Sequence, residues 1–174
     1  LIRETTSLSL HGANTRPEFH FSDGLPSVDI DTGQISQVIQ NLVLNADQAM
    51  PNGGTLKISA DHVEVAAGDP LPLEAGTYVR VSVEDQGIGI SDDLLSKVFD
   101  PYFSTKETGH GLGLSICHSI IQRHNGHITV SSRQNVGTTF EFYLPASEEQ
   151  VITVTENERE WARGTGKILL MDDE

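Results

Sequence analysis

Four groups of residues in this chain have the types and spacing to do chemistry. The first is Asn41 and Asn45 in QNLVLNADQAM. Four positions apart on a helix, their side chains leave one face, next to each other. An amide oxygen is a suitable ligand for Mg²⁺, which takes oxygen donors and often bridges to phosphates. Two solvated asparagines are the plain alternative. The second group is Asp85, Gly87 and Gly89 in VEDQGIGI. An acid at a strand end followed by alternating glycines lets a backbone approach a flat ligand closely. The carboxylate is then placed to accept hydrogen bonds, and the exocyclic amine of adenine is a matching donor. Such a bond to a charged group contributes about 1.5–3 kcal/mol. A tight turn with an exposed acid would leave the same trace.

The third group is Gly109, Gly111, Gly113 and Ser115 in GHGLGLS. Glycines at a helix start leave free N–H groups pointing at an anion, and the helix dipole assists. No Lys-Ser or Lys-Thr pair follows, so this is not a P-loop. The order and spacing also differ from a dinucleotide-binding fingerprint. The fourth is Gly137 and Thr138 in GTTFEFY, where the threonine hydroxyl could reach a base through water.

These groups need elements to hold them. Residues 1–24 begin without a clear pattern, apart from an alternating strand at 16–22. Ile35, Val38, Ile39, Leu42, Ala46 and Ala49 keep a three-four spacing, which predicts an amphipathic helix over 33–50 with Asp31 or Thr32 as its N-cap. Strands are expected at 54–66 and 77–85. A short capped helix (91–99), a long irregular connection (100–111) and a helix (112–126) closed by Asn125-Gly126 follow. A hairpin, 127–134 with 138–145, turns at 135–137. The order is not alternating βαβ, so a doubly wound parallel sheet is excluded in favour of an α+β fold: a mixed sheet with helices on one face.

The balance of 25 acidic against 11 basic residues gives a net charge of −14. A broad nucleic-acid surface needs the opposite sign, whereas a nucleotide can be held locally by helix N-termini, a few lysines and a metal. No apolar run approaches the roughly 20 residues of a membrane span. The single Cys117 sits in an apolar helical pattern and reads as a buried hydrophobe; a lone cysteine fits a reducing compartment. A chain opening on Leu1 reads as an excerpt of something longer, of cytoplasmic location, whose parent could be membrane-anchored.

QNLVLNADQAM, DQGIGI, FDPYFSTK, GHGLGLS and GTTFEFYLP, in that order, resemble the catalytic ATP-binding domain of sensor histidine kinases. These belong to a superfamily with DNA gyrase, the heat-shock chaperone ATPases and MutL. NADQAM and FSTK look most like the nitrogen-regulation type. The resemblance covers about residues 15–146 and implies a two-layer α/β sandwich, with ATP between helices and a mobile lid over about 92–110. It divides the chain into a catalytic domain (1–146), a linker (147–166) and the start of a receiver domain (167–174). The last of these rests on GKILLMDDE, whose Asp172 and Asp173 look like a receiver's Mg²⁺-binding acids, which would make the parent a hybrid kinase.

By the same resemblance Asn45 would coordinate Mg²⁺ and Asn41 would contact metal-bound water or phosphate, the two forming the catalytic pair. Asp85 would read the adenine amine, with Gly87 and Gly89 giving the base room and Thr138 beside it. Phe99 and Phe103 would anchor the lid. Gly109, Gly111, Leu112 and Gly113 would close it over the phosphates, with Lys106 as a further phosphate contact. ATP-hydrolysing members carry a glutamate where this chain has Asn41. An amide cannot take a proton at neutral pH, so the resemblance implies slow hydrolysis and transfer to another nucleophile. Gln48 stands where many members have a basic residue. None of His11, His20, His62, His110, His118, His124 and His127 has the setting of a phospho-acceptor. That histidine is expected on a separate dimerisation domain. A clamp ATPase, an anti-sigma-type serine kinase and a pseudokinase are the competing readings.

Overall fold

The computed structural model describes residues 1–104 and 111–147. Lys106, Gly109 and His110, and nearly all of the expected linker and receiver start, lie outside the described residues. The elements run α1 (Ile2–Ser9), β1 (Thr15–Phe21), α2 (Thr32–Ala49), β2 (Gly54–Val65), β3 (Gly76–Asp85), α3 (Asp92–Leu95), α4 (Gly113–Arg123), β4 (His127–Arg133) and β5 (Gly137–Pro145). The strands form one sheet in the order β1-β2-β3-β5-β4. β1 and β2 are parallel, and the other neighbours are antiparallel.

Alternation assigns the two faces of the sheet. Leu56, Ile58 and Ala60 of β2, Val79, Val81 and Val83 of β3, and Phe140, Phe142 and Leu144 of β5 all join one core. α2 meets them with Ile35, Val38, Ile39, Leu42, Val43 and Ala46, and α4 with Cys117, Ile120 and Ile121. Each such side chain contributes about 1.5–3 kcal/mol on full burial. The opposite face carries the intervening residues, including Lys57, Asp61, Arg80, Glu84 and Glu141, which pair across strands. This is the two-layer mixed sheet that the order of elements predicts.

The N-cap of α2 is Asp31, whose Oδ1 accepts the Gln34 N–H at 2.9 Å. At the other end of the helix Asp47 accepts the Thr15 hydroxyl at 2.6 Å, tying α2 to β1. α4 stops where Asn125 takes a left-handed turn (φ 54°) and the Gly126 N–H returns to the Ile121 carbonyl. Gly126 has to be glycine, because a Cβ there would run into the Tyr143 carbonyl.

Two elements depart from the sequence expectation. α1 was not legible: eight residues are too few to form a helix alone, and Thr5, Thr6 and Ser9 interrupt any apolar stripe. Its packing holds it. Thr6 and Leu10 are buried, and the Arg3 guanidinium lies 4.7 and 4.9 Å over the Phe19 and Phe21 rings. The short helix expected over 91–99 shrinks to four residues. Three-residue turns replace the rest, with Lys97 bonding back to Leu94 and Asp100 to Lys97. These turns lower Val98 into a buried position and set Phe99 against His118 and Phe140.

Candidate functional site

Beside the C-terminal end of β3 lies a cleft of about 380 Å³, within the size range of small-molecule sites. α2 contributes Asn45, Gln48 and Ala49, one helical turn apart at most. The turn after β3 contributes Ile88, Gly89 and Ile90 beyond Asp85 itself. Gly111, Leu112, Gly113 and Leu114 come from the start of α4, and Thr138 and Phe140 from β5. Val98, Phe103 and Ser104 complete it. Seven of the residues expected to bind the nucleotide therefore meet around one space: Asn45, Asp85, Gly89, Gly111, Leu112, Gly113 and Thr138.

Asp85 is 6% exposed. Its Oδ1 accepts the Gly87 N–H at 2.8 Å and the Thr138 N–H at 3.3 Å. Burial pushes this carboxyl above its ordinary range; the two N–H donors pull it back, and neighbouring Glu84 adds to the rise. A carboxylate with one oxygen tied to the backbone has a fixed orientation. Its second oxygen is left to accept from a ligand.

The glycines of DQGIGI prove to serve the protein's own packing. A Cβ on Gly87 would meet the Ala49 carbonyl at 2.5 Å, where the Ile88 N–H also bonds at 3.1 Å. Gly89 sits at φ 65°, and a Cβ there would strike the Arg133 carbonyl. The turn is thus clamped between the end of α2 and the end of β4. Gly87 does not line the cleft, whereas Gly89 does.

At the other wall, the carbonyl of Gly111 (φ 67°) accepts the Tyr102 N–H at 2.9 Å, which ties the two positions together. A Cβ on Gly111 would collide with the Tyr102–Phe103 backbone. Leu112 is the N-cap of α4 and makes no side-chain cap bond. The first N–H groups of such a helix have no partner within it and suit an anion.

Asn41 stands apart from its expected company. It does not line the cleft; its amide donates to the Gly113 carbonyl at 3.3 Å and it also reaches the Cys117 thiol. It fastens α2 to the first residue of α4. Cys117 is fully buried, and its thiol is pushed up to about 12 by that burial, as expected for an inert core residue.

A family model described as histidine kinase-, DNA gyrase B-, and HSP90-like ATPase matches residues 30–148, the span that builds the cleft. The chain belongs to this family. Among its relatives, the sensor histidine kinase ZraS of Escherichia coli is 37% identical over 150 residues, covering 84% of this chain and 30% of ZraS. The sensor protein FixL of Bradyrhizobium diazoefficiens is 38% identical over 152 residues, covering 86% and 28%. Among solved structures, the catalytic domain of the histidine kinase ThkA superposes with a TM-score of 0.67 at 36% identity, covering 83% of this chain and 90% of that one. The full-length ShkA structure in complex with AMPPNP gives 0.68 at 25% identity, covering 84% and 29%. The chain therefore spans less than a third of these two sensor proteins' length and most of an isolated kinase catalytic domain.

In this histidine kinase-like ATPase fold, sequence reasoning missed Ser132. Its Oγ lies 2.8 Å from the Ile90 N–H, 2.8 Å from the Gly137 carbonyl and 2.9 Å from Thr138 Oγ1. One serine on an exposed-looking strand carries no signal in isolation. Only the register that places Ser132 opposite Thr138 gives it meaning. No described helix is long and apolar enough to cross a membrane.

Proposed function

We propose that this domain binds Mg-ATP in the cleft and presents the γ-phosphate to a histidine on a separate dimerisation domain, in two-component signalling. The observation that carries this is Asp85: a buried carboxylate at a strand end, oriented by two backbone N–H groups, at the edge of an apolar cleft. A flat base fits between Ile88, Ile90 and Phe140, with its exocyclic amine donating to the carboxylate. The start of α4 then lies where phosphates profit from its unpaired N–H groups. The expected contacts from Lys106 and Gly109 belong to the same reading.

Mg²⁺ fits the donor set as an ion brought by the nucleotide. No cluster of three His, Cys, Asp or Glu occurs among the described residues, and Mg²⁺ is commonly held by one or two protein oxygens plus substrate phosphates. Asn45 would be the protein ligand. The ion neutralises phosphate charge when bound.

Asn41 holds the α2–α4 junction and its amide cannot act as a base, so water lacks an activating group from this position. Intrinsic hydrolysis is expected to be very slow; a robust turnover that disappears in Asn41→Ala would count against this. The receiver domain suggested by GKILLMDDE would be a downstream acceptor in the same parent.

The test is transfer of labelled γ-phosphate from ATP to a supplied dimerisation domain bearing its histidine. Labelling that needs Mg²⁺ and disappears in Asp85→Asn is expected. Fast release of free phosphate without histidine labelling would favour a clamp ATPase instead.

A further inference from the structure

The contacts of Ser132 fix the direction of a hydrogen-bond chain beside the cleft. Ser132 Oγ and the Gly137 carbonyl oxygen are 2.8 Å apart. A carbonyl has no proton, so the serine must supply the one between them. Ser132 has only that proton. The 2.9 Å contact with Thr138 Oγ1 must then be donated by the threonine. The Ile90 N–H fills the remaining acceptor position of Ser132 at 2.8 Å. The serine oxygen is fully used, with one bond donated and two accepted.

We infer that Ser132 is a specificity-determining positioning residue that turns Thr138 into a pure acceptor towards the cleft. This rests on the adenine-nucleotide reading above. With its proton committed to Ser132, the Thr138 hydroxyl offers a ligand only lone pairs. Asp85, ionised, also offers only lone pairs. Both polar side chains on this side of the cleft therefore ask for a donor, directly or through a water. A 6-amino purine supplies one, and a 6-oxo purine presents another acceptor. Rejection of such a mismatch arises from polar groups left unpaired. Ser132 itself lies outside the cleft lining, so it acts through Thr138 and through the Ile90 backbone that forms the wall.

Removing the Ser132 hydroxyl frees the Thr138 proton to rotate towards the cleft, where it can donate to a 6-oxo group. Ser132→Thr keeps a hydroxyl at the same place. The experiment is calorimetric titration of the 174-residue chain with Mg-complexed adenosine and inosine triphosphates, on wild type, Ser132→Ala and Ser132→Thr. The wild type is expected to prefer the adenosine nucleotide, Ser132→Ala to narrow that preference by about five- to tenfold, and Ser132→Thr to restore it. An equal loss for both nucleotides in Ser132→Ala would mean a merely structural serine and would overturn the inference. A wild type that binds neither nucleotide, or both alike, would overturn the adenine reading beneath it, so the two failures are distinguishable. Should Ser132→Ala melt far below wild type, Thr138→Val tests the same polarity. Selective weakening of the adenosine nucleotide supports it, and parallel weakening of both overturns it.

Discussion

Two glycine-rich turns flank the cleft, and they are built differently. DQGIGI is gripped from both sides by finished elements. Gly87 abuts the last carbonyl of α2, Gly89 abuts the end of β4, and the Asn135 N–H bonds to the Ile88 carbonyl at 2.7 Å. Among the described residues, the turn before α4 meets loop backbone rather than a finished element. Gly111 meets the Tyr102–Phe103 backbone, which is itself loop, while Gly113 leaves room: a Cβ there would sit an ordinary 3.6 Å from Asn41 Oδ1. One end of the cleft is thus set by the sheet and α2, and the other by the start of α4 and the Tyr102–Phe103 backbone. Similar letters in sequence serve a turn clamped between finished elements in one case and the entry to a helix in the other.

The sharpest way to break this comparison is Gly89→Ala. It combines a left-handed backbone with a backbone collision, and should cost about 3 kcal/mol, read as a lower urea midpoint at unchanged m-value. A loss below a tenth of that would show that the turn yields. Asp85→Asn comes next and should act on binding rather than folding. The asparagine oxygen can keep the Gly87 and Thr138 N–H bonds, while its NH₂ opposes a ligand donor. Adenosine-nucleotide affinity should fall by about 10- to 100-fold with an unchanged melting temperature.

The same residue gives a pH test. Its folded carboxyl is raised above the unfolded value. The folded state therefore binds the proton more readily than the unfolded state between those two values. The destabilisation from its buried charge is full above the folded value and fades as pH falls towards the unfolded one. Nucleotide affinity, which needs the ionised form, should move the other way and weaken as pH falls through the folded value. Affinity that holds steady across this acid range would remove Asp85 from recognition.

Smaller effects separate the two glycines of the second turn. Gly111→Ala should destabilise by about 2 kcal/mol, from its positive φ and the Tyr102–Phe103 contact. Gly113→Ala should stabilise by about 0.5 kcal/mol, because alanine is the better helix former and the space is open. Equal effects at 111 and 113 would erase the distinction. The smallest change is expected on the far face of the sheet. There Asp61 and Glu141 flank Arg80 and raise its affinity for protons, with Asp61 at 2.9 Å. The pair is partly exposed, so Arg80→Met should cost about 1 kcal/mol or less and leave nucleotide affinity untouched.

The sequence alone determined the elements with a strong period. The stripe Ile35, Val38, Ile39, Leu42 could only be a half-buried helix, and the alternation in β3 could only be a strand with one wet face. It also determined which residue types were unusual enough to suspect, above all Asp85 before alternating glycines. These signals are local, within one helical turn or one strand pair. What the sequence could not determine depended on who meets whom. α1 exists because it packs on α2, with Thr6 buried, and because Arg3 lies over the β1 rings of Phe19 and Phe21. α3 is cut short because burying Val98 outweighs another helical turn. Asn41 belongs to the α4 junction, Gly87 and Gly89 to backbone packing, and Ser132 to the support behind Thr138 and Ile90, because the fold brings together residues far apart in the chain. Chemistry at a site is decided by such neighbours: a hydroxyl is a donor or an acceptor according to the oxygen beside it, and only the tertiary structure supplies that oxygen.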